Sequence, residues 1–101
     1  MTRRPSQRTP TDQVHLLDPP ARRARATLDA ALLDLLHQGR STPCTSDPAP
    51  FTSESRQERA VAAQACSYCP VLAPCRAYAE AADESEWVWA GVDRSARAAI
   101  A

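Results

Sequence analysis

The chain has 101 residues, 44% hydrophobic but only 5% aromatic, and its twelve arginines balance twelve acidic residues to a formal net charge of +0. That length suits one small domain and argues against a second, and the large apolar side chains available for a core are few. Zero net charge removes a whole-chain electrostatic case for nucleic acid, and neither an apolar run of about 18 residues nor a basic-then-apolar leader is present to suggest a membrane span or secretion.

Residues 1–17 are polar, rich in Arg and Thr and aperiodic, and are expected to form a flexible basic arm whose end docks through Val14, Leu16 and Leu17. The charge is uneven. Arg3, Arg4, Arg8, Arg22, Arg23 and Arg25 outnumber Asp12 and Asp18 in the first 27 residues, while the stretch from Arg76 onward is slightly acidic.

Asp18-Pro19-Pro20 combines an N-cap residue with proline at the first helical position, and Gly39 suits a C-terminal cap, which predicts a helix over 19–38. Leu28, Leu32, Leu35 and Leu36 give it one apolar stripe. Pro43, Pro48 and Pro50 are expected to forbid regular structure, leaving Cys44 in an extended or turning segment. Ser55 and Glu58 form a capping-box pattern ahead of an Ala-rich helix that ends at Cys66. Pro70 and Pro74 interrupt the next stretch, and Cys75 falls in the first turn of a third helix running to about Ala82. Asp93 then caps a short final helix, Arg94 to Ile100. No segment alternates like a strand, so the expected fold is all-α, a small three- to four-helix domain over 18–101.

A core this poor in large side chains calls for a staple, and four cysteines can supply one. In the reducing cytoplasm expected for an unexported chain, metal binding or redox chemistry is favoured over stable disulfides. The spacing is C-x21-C-x2-C-x5-C, with the last three packed into CSYCPVLAPC. Two cysteines separated by two residues can turn both sulfurs toward one ion or cluster, so Cys44, Cys66, Cys69 and Cys75 are the candidate metal ligands. Spacing alone leaves structural zinc and an iron–sulfur cluster level. A CxxC dithiol that reduces protein disulfides, and four cysteines that are buried small hydrophobes, are the other readings. His15 and His37 lie at no ligand spacing and read as surface residues. No Ser, His and Asp pattern suggests a triad, and two glycines cannot build a phosphate-cradling loop.

The flanking residues carry a resemblance. Cys44 followed by Asp47-Pro48 and Phe51, then Ala63-x-x-Cys66-x-x-Cys69-Pro70-Val71, then Cys75-x-x-Tyr78-Ala79, then a Trp-Gly motif, is similar to the WhiB-like regulators of actinobacteria and their phages, over roughly Ser41 to Ile100. The resemblance implies a non-enzymatic transcription regulator, with a [4Fe–4S] cluster held by Cys44, Cys66, Cys69 and Cys75 at the centre of the helical domain. It also implies a partner, the C-terminal domain of the primary sigma factor in RNA polymerase holoenzyme, met by a monomer that becomes a heterodimer with sigma. The glycine-rich turn of the family corresponds to Trp87-Val88-Trp89-Ala90-Gly91, where Trp89 and Gly91 match and Trp87 and Ala90 replace glycines. These residues are the candidate partner contacts, with Trp89 as the anchor. Tyr78 and Phe51 are expected to pack around the cluster and shield it. The basic segment that follows the turn in DNA-binding members is reduced here to Arg94 and Arg97, which neutralise too few phosphates to hold DNA, so contact with DNA is weak or indirect.

Overall fold

The computed structural model describes residues 18–96, so the expected basic arm over 1–17 and the end of the expected final helix lie outside the described residues. Helix α1 spans Pro19–His37. Asp18 stands at its N-cap in extended conformation, but its carboxylate makes no capping bond. Caps answer the amides of the second and third helical residues, and Pro20 has no amide to offer. The C-terminus follows the Schellman pattern. Gly39 adopts φ +68°, its N–H donates to the Leu36 carbonyl at 3.0 Å, and the Arg40 N–H donates to the Leu35 carbonyl at 2.9 Å.

Ala21, Leu28 and Leu35, spaced by sevens, form the buried edge of α1, and Leu32 packs beside them. Leu36 does not belong to the stripe: it is 69% exposed. At 3.6 residues per turn it sits about 80° around the axis from Leu28, on the shoulder of the apolar face.

The prolines that follow do not abolish regular structure. Pro43 opens a single helical turn, α2 (Pro43–Ser46), and Pro48 and Pro50 flank and enter a 3-10 turn over Ala49–Thr52. Proline disrupts helix interiors, yet its fixed φ suits a helix's first position, where the missing amide would have had no partner. Cys44 therefore lies on a helical turn rather than an extended segment.

Helix α3 spans Arg56–Ala65, and the Ser55 hydroxyl accepts from the Glu58 amide at 3.2 Å as the capping pattern requires. The reciprocal half of the box is supplied by a different residue, because the Ser55 amide donates to the Ser53 hydroxyl at 2.9 Å. A 3-10 turn over Cys66–Tyr68 leads to helix α4 (Leu72–Ala81). The chain then forms a minimal antiparallel hairpin, β1 (Val88–Trp89) with β2 (Val92–Asp93), pairing Val88 with Asp93 and Trp89 with Val92. The fold is a small helical domain, as expected, with this two-residue ladder added. Arg94, Ser95 and Ala96 begin a helical turn, and Asp93 caps it by accepting from the Ala96 amide at 3.3 Å.

Two small cores result. Leu28, Leu35, Val71 and Tyr78 fill the seam between α1 and α4, and Phe51, Ala62, Cys66 and Val88 fill the space beneath α3 and β1. An ion pair with a bifurcated hydrogen bond ties the second core to the hairpin. Arg59 on α3 donates through Nε to both Asp93 carboxylate oxygens at 3.0 and 3.1 Å, and its Nη1 donates to the Ser53 carbonyl at 2.8 Å.

Candidate metal centre

The four cysteines reach one place by four local devices. Thr42 caps α2, and Cys44 is the second residue of that turn. Cys66 ends α3, and the Cys69 amide donates to the Cys66 carbonyl at 3.0 Å, closing the CxxC turn. Tyr68, inside that turn, points into solvent at 89% exposure. Val71 ends the loop as the N-cap of α4, and the Cys75 amide makes that helix's first bond, to the Val71 carbonyl at 3.0 Å. All four residues are free thiols lining one cavity of about 290 Å³ between the two cores, along with Phe51, Val71 and Leu72. Trp87, Val88, Trp89 and Ala90 form another wall.

The hairpin supplies hydrogen-bond donors to this cavity. Ala90 and Gly91 are its two loop residues, with φ +50° and +82°. Positive φ at both positions is the type I′ requirement that matches the twist of a two-residue hairpin. The turn places two amides beside sulfur: the Gly91 amide lowers the Cys66 thiol, and the Ala90 amide lowers the Cys75 thiol. A side chain on Gly91 would stand 3.5 Å from the Ala63 carbonyl oxygen and 3.7 Å from the Cys66 Cβ, so it is the left-handed backbone, not lack of space, that favours glycine there.

Burial pushes the Cys75 thiol up to about 11, with the other three thiols adding to the effect and the Ala90 amide opposing it. Cys66 is raised for the same leading reason, against the Gly91 amide. Gathering thiols in an apolar cavity disfavours their charge until a cation shares the space. Among the described residues, no three His, Cys, Asp or Glu side chains converge closely enough to grip a single metal ion. The four cysteines line one apolar cavity, and soft sulfur donors of this kind suit a thiophilic metal centre.

The hairpin residues divide by burial. Val88, expected at a partner surface, is 8% exposed and belongs to the core with Phe51, Ala62 and Cys66. Trp87 and Trp89 are half-buried and Gly91 is exposed. Trp89 lies 5.4 Å from the Tyr78 ring, tilted by 50°, and its indole N–H donates to the Glu86 carbonyl at 3.0 Å. The Arg25 guanidinium sits over the Tyr78 ring, 5.1 Å from its centroid. Phe51 lines the cavity directly, whereas Tyr78 stands behind it in the core that includes Cys69 and Cys75. Burial and then Glu84 raise the Tyr78 hydroxyl, against Arg25.

His37 does not line the cavity. His37 is exposed on α1, and His15 lies outside the described residues. Arg94, one of the two tail arginines, is 7% exposed, with Nη1 reaching the Glu84 carbonyl at 3.5 Å, so it serves the interior. Three functional features escaped the sequence reading: Thr42, the two turn amides and the Arg59 clasp. Thr42-Pro43 was the one with a usable signal, since Ser or Thr before proline marks a helix start.

Among the described residues no helix is long and apolar enough to cross a membrane. Neither curated proteins nor solved structures give a significant match. A protein-family model described as transcription factor WhiB, however, matches residues 38–100, a segment that begins at the end of α1, contains all four cavity cysteines and runs through the hairpin. That match covers more than half of the chain, and the chain belongs to the WhiB family of transcription factors.

Proposed function

We propose that Cys44, Cys66, Cys69 and Cys75 together hold a [4Fe–4S] cluster, and that the loaded domain regulates transcription by binding the C-terminal domain of the primary sigma factor within RNA polymerase holoenzyme in the cytoplasm. The observation that carries this reading is the single apolar cavity onto which all four thiols open, walled by the hairpin that bears Trp89. A cluster bound by these four cysteines would supply redox-active iron sensitive to oxygen and nitric oxide, which would make regulation depend on its occupancy. The chain contributes four sulfurs, two amide donors from the turn, and an apolar shell that limits access of water.

Trp89 is the sigma anchor, flanked by Trp87 and the exposed Gly91. Its N–H is already satisfied by Glu86, so the surface left for a partner is ring carbon, which suits burial in an apolar pocket. The protein acts as a monomer that forms a heterodimer with sigma. Direct DNA contact is weak, because Arg94 is buried and the hairpin is flanked by Asp83, Glu84 and Glu86. A disulfide reductase is disfavoured because Cys66, half of the CxxC pair, is buried and a reactive thiol must meet its substrate. A zinc-stapled interaction module is the other reading of four cysteines on one cavity, and metal analysis separates it from a cluster.

The test is anaerobic co-expression with the sigma C-terminal domain, followed by iron and sulfide analysis and measurement of affinity. Iron, sulfide and visible charge-transfer absorption should co-purify with the complex. Trp89→Ala, with iron content unchanged, should weaken sigma binding by about 2 kcal/mol or more, roughly thirtyfold. A colourless chain that carries zinc, or none of these metals, and ignores sigma defeats the proposal.

A further inference from the structure

Thr42 is the largest fully buried side chain among the described residues, at 2% exposure, and its hydroxyl has three neighbours. The Thr45 amide lies 3.3 Å away, the Thr45 hydroxyl 2.9 Å and the Cys44 sulfur 3.1 Å. One hydroxyl offers one proton and two lone pairs. The Thr45 amide only donates, so it occupies one lone pair. A metal-binding cysteine is a thiolate, which only accepts. The Thr42 proton must then go to sulfur, and Thr45 must donate its own hydroxyl proton to the remaining lone pair. Every valence of the buried oxygen is filled in this arrangement, and reversing the Cys44 bond leaves the thiolate without its donor.

We propose that Thr42 is a positioning residue for Cys44, its hydroxyl proton bonding the ligand sulfur, orienting it toward the cavity and stabilising its charge. The inference rests on the cluster reading above. Its importance follows from where Cys44 stands. It is the exposed member of the set, stands on a one-turn helix and is separated by 21 intervening residues from the next ligand, Cys66. Cys66 and Cys75 have hairpin amides beside them, whereas the group bonded to the Cys44 sulfur is a side chain, 3.1 Å away. The corner most open to solvent is therefore held by a group that a single substitution removes. Hydrogen bonds to ligand sulfur stabilise the more negative, reduced cluster, so losing one lowers the reduction potential, and losing an outer-shell partner costs roughly 10–100-fold in metal affinity.

The experiment uses the full chain, loaded anaerobically with iron and sulfide, as wild type, Thr42→Val, Thr42→Ser and Thr45→Val. Redox titration, resonance Raman spectra of the Fe–S(Cys) stretches in H₂O and D₂O, and the rate of bleaching in air are compared. Thr42→Val should shift the potential negative, lose one deuterium-sensitive stretch and bleach about tenfold faster. Thr42→Ser, which keeps the hydroxyl, and Thr45→Val, which keeps the Thr42–Cys44 bond, should behave as wild type. If Thr42→Val fails to load at all, retention of the wild-type potential by the other two variants supports the inference, and loss in Thr45→Val overturns it in favour of simple packing of the turn. Wild-type values in a loaded Thr42→Val chain also overturn it and leave the cluster reading intact. A wild-type chain that takes up no iron defeats both.

Discussion

Ala90 and Trp87 both hold the left-handed backbone that favours glycine, at φ +50° and +69°. Each non-glycine residue in that region costs about 1–2 kcal/mol. At Ala90 the cost is partly offset, because its methyl is buried at 6% exposure and a buried carbon of that size is worth about 0.8 kcal/mol. At Trp87 the backbone is held from outside the turn: its amide donates to the Ser95 hydroxyl at 2.7 Å and its carbonyl accepts from the Arg94 amide at 2.8 Å. The expected outcome for Ala90→Gly is a stability change within about 1 kcal/mol of zero, since relief of strain and loss of the methyl oppose each other. Ala90→Val, β-branched in a left-handed position, should cost more than about 2 kcal/mol. Denaturant titration of the two variants followed by circular dichroism checks both, and equal losses would refute a strained turn.

Among the elements, the two-residue hairpin is tied to α3 by an ion pair. Arg59 and Asp93 are mostly buried, at 11% and 15% side-chain exposure, and lie 34 residues apart in sequence. Removing one member strands the other's charge, so Arg59→Ala should destabilise the domain by about 3–5 kcal/mol. The double variant with Asp93→Asn should be less harmed than the sum of the single ones, as a thermodynamic cycle would reveal. This pair was not legible in the sequence, because nothing local to Arg59 or Asp93 signals a contact made only in the folded chain. The helices were legible for the opposite reason. Proline and Gly39 mark the ends of α1, and Ser55 marks the start of α3, through bonds made within a few residues. The prolines around Cys44 misled because the same residue both breaks a helix and begins one, and only the Thr42 cap decides which. The hairpin was missed because two-residue strands are too short to show alternation.

For the whole molecule, the cores are small and the cavity between them is bordered by both. A group bound there joins α1 and α4 to α3 and the hairpin, so its binding free energy is also folding free energy. Stripping the proposed cluster with a chelator under mild oxidation should lower the unfolding temperature sharply and broaden the transition, with α3 and the hairpin losing amide-exchange protection before the α1–α4 pair. Scanning calorimetry and hydrogen exchange on loaded and stripped protein test this, and identical traces would contradict it. The position of Cys44, Cys66, Cys69 and Cys75 around one site was readable from spacing, but the cavity that separates them was not, since sulfur-to-sulfur arrangement depends on how the helices pack.

The chain has two tryptophans, and both line that cavity. Every photon of indole emission therefore originates at the wall of the metal site. A broad visible absorber among the four sulfurs would lie within energy-transfer range of both rings and darken them, and its release would restore their light. The protein thus carries a built-in optical gauge of occupancy, one that needs no label and can be read in real time.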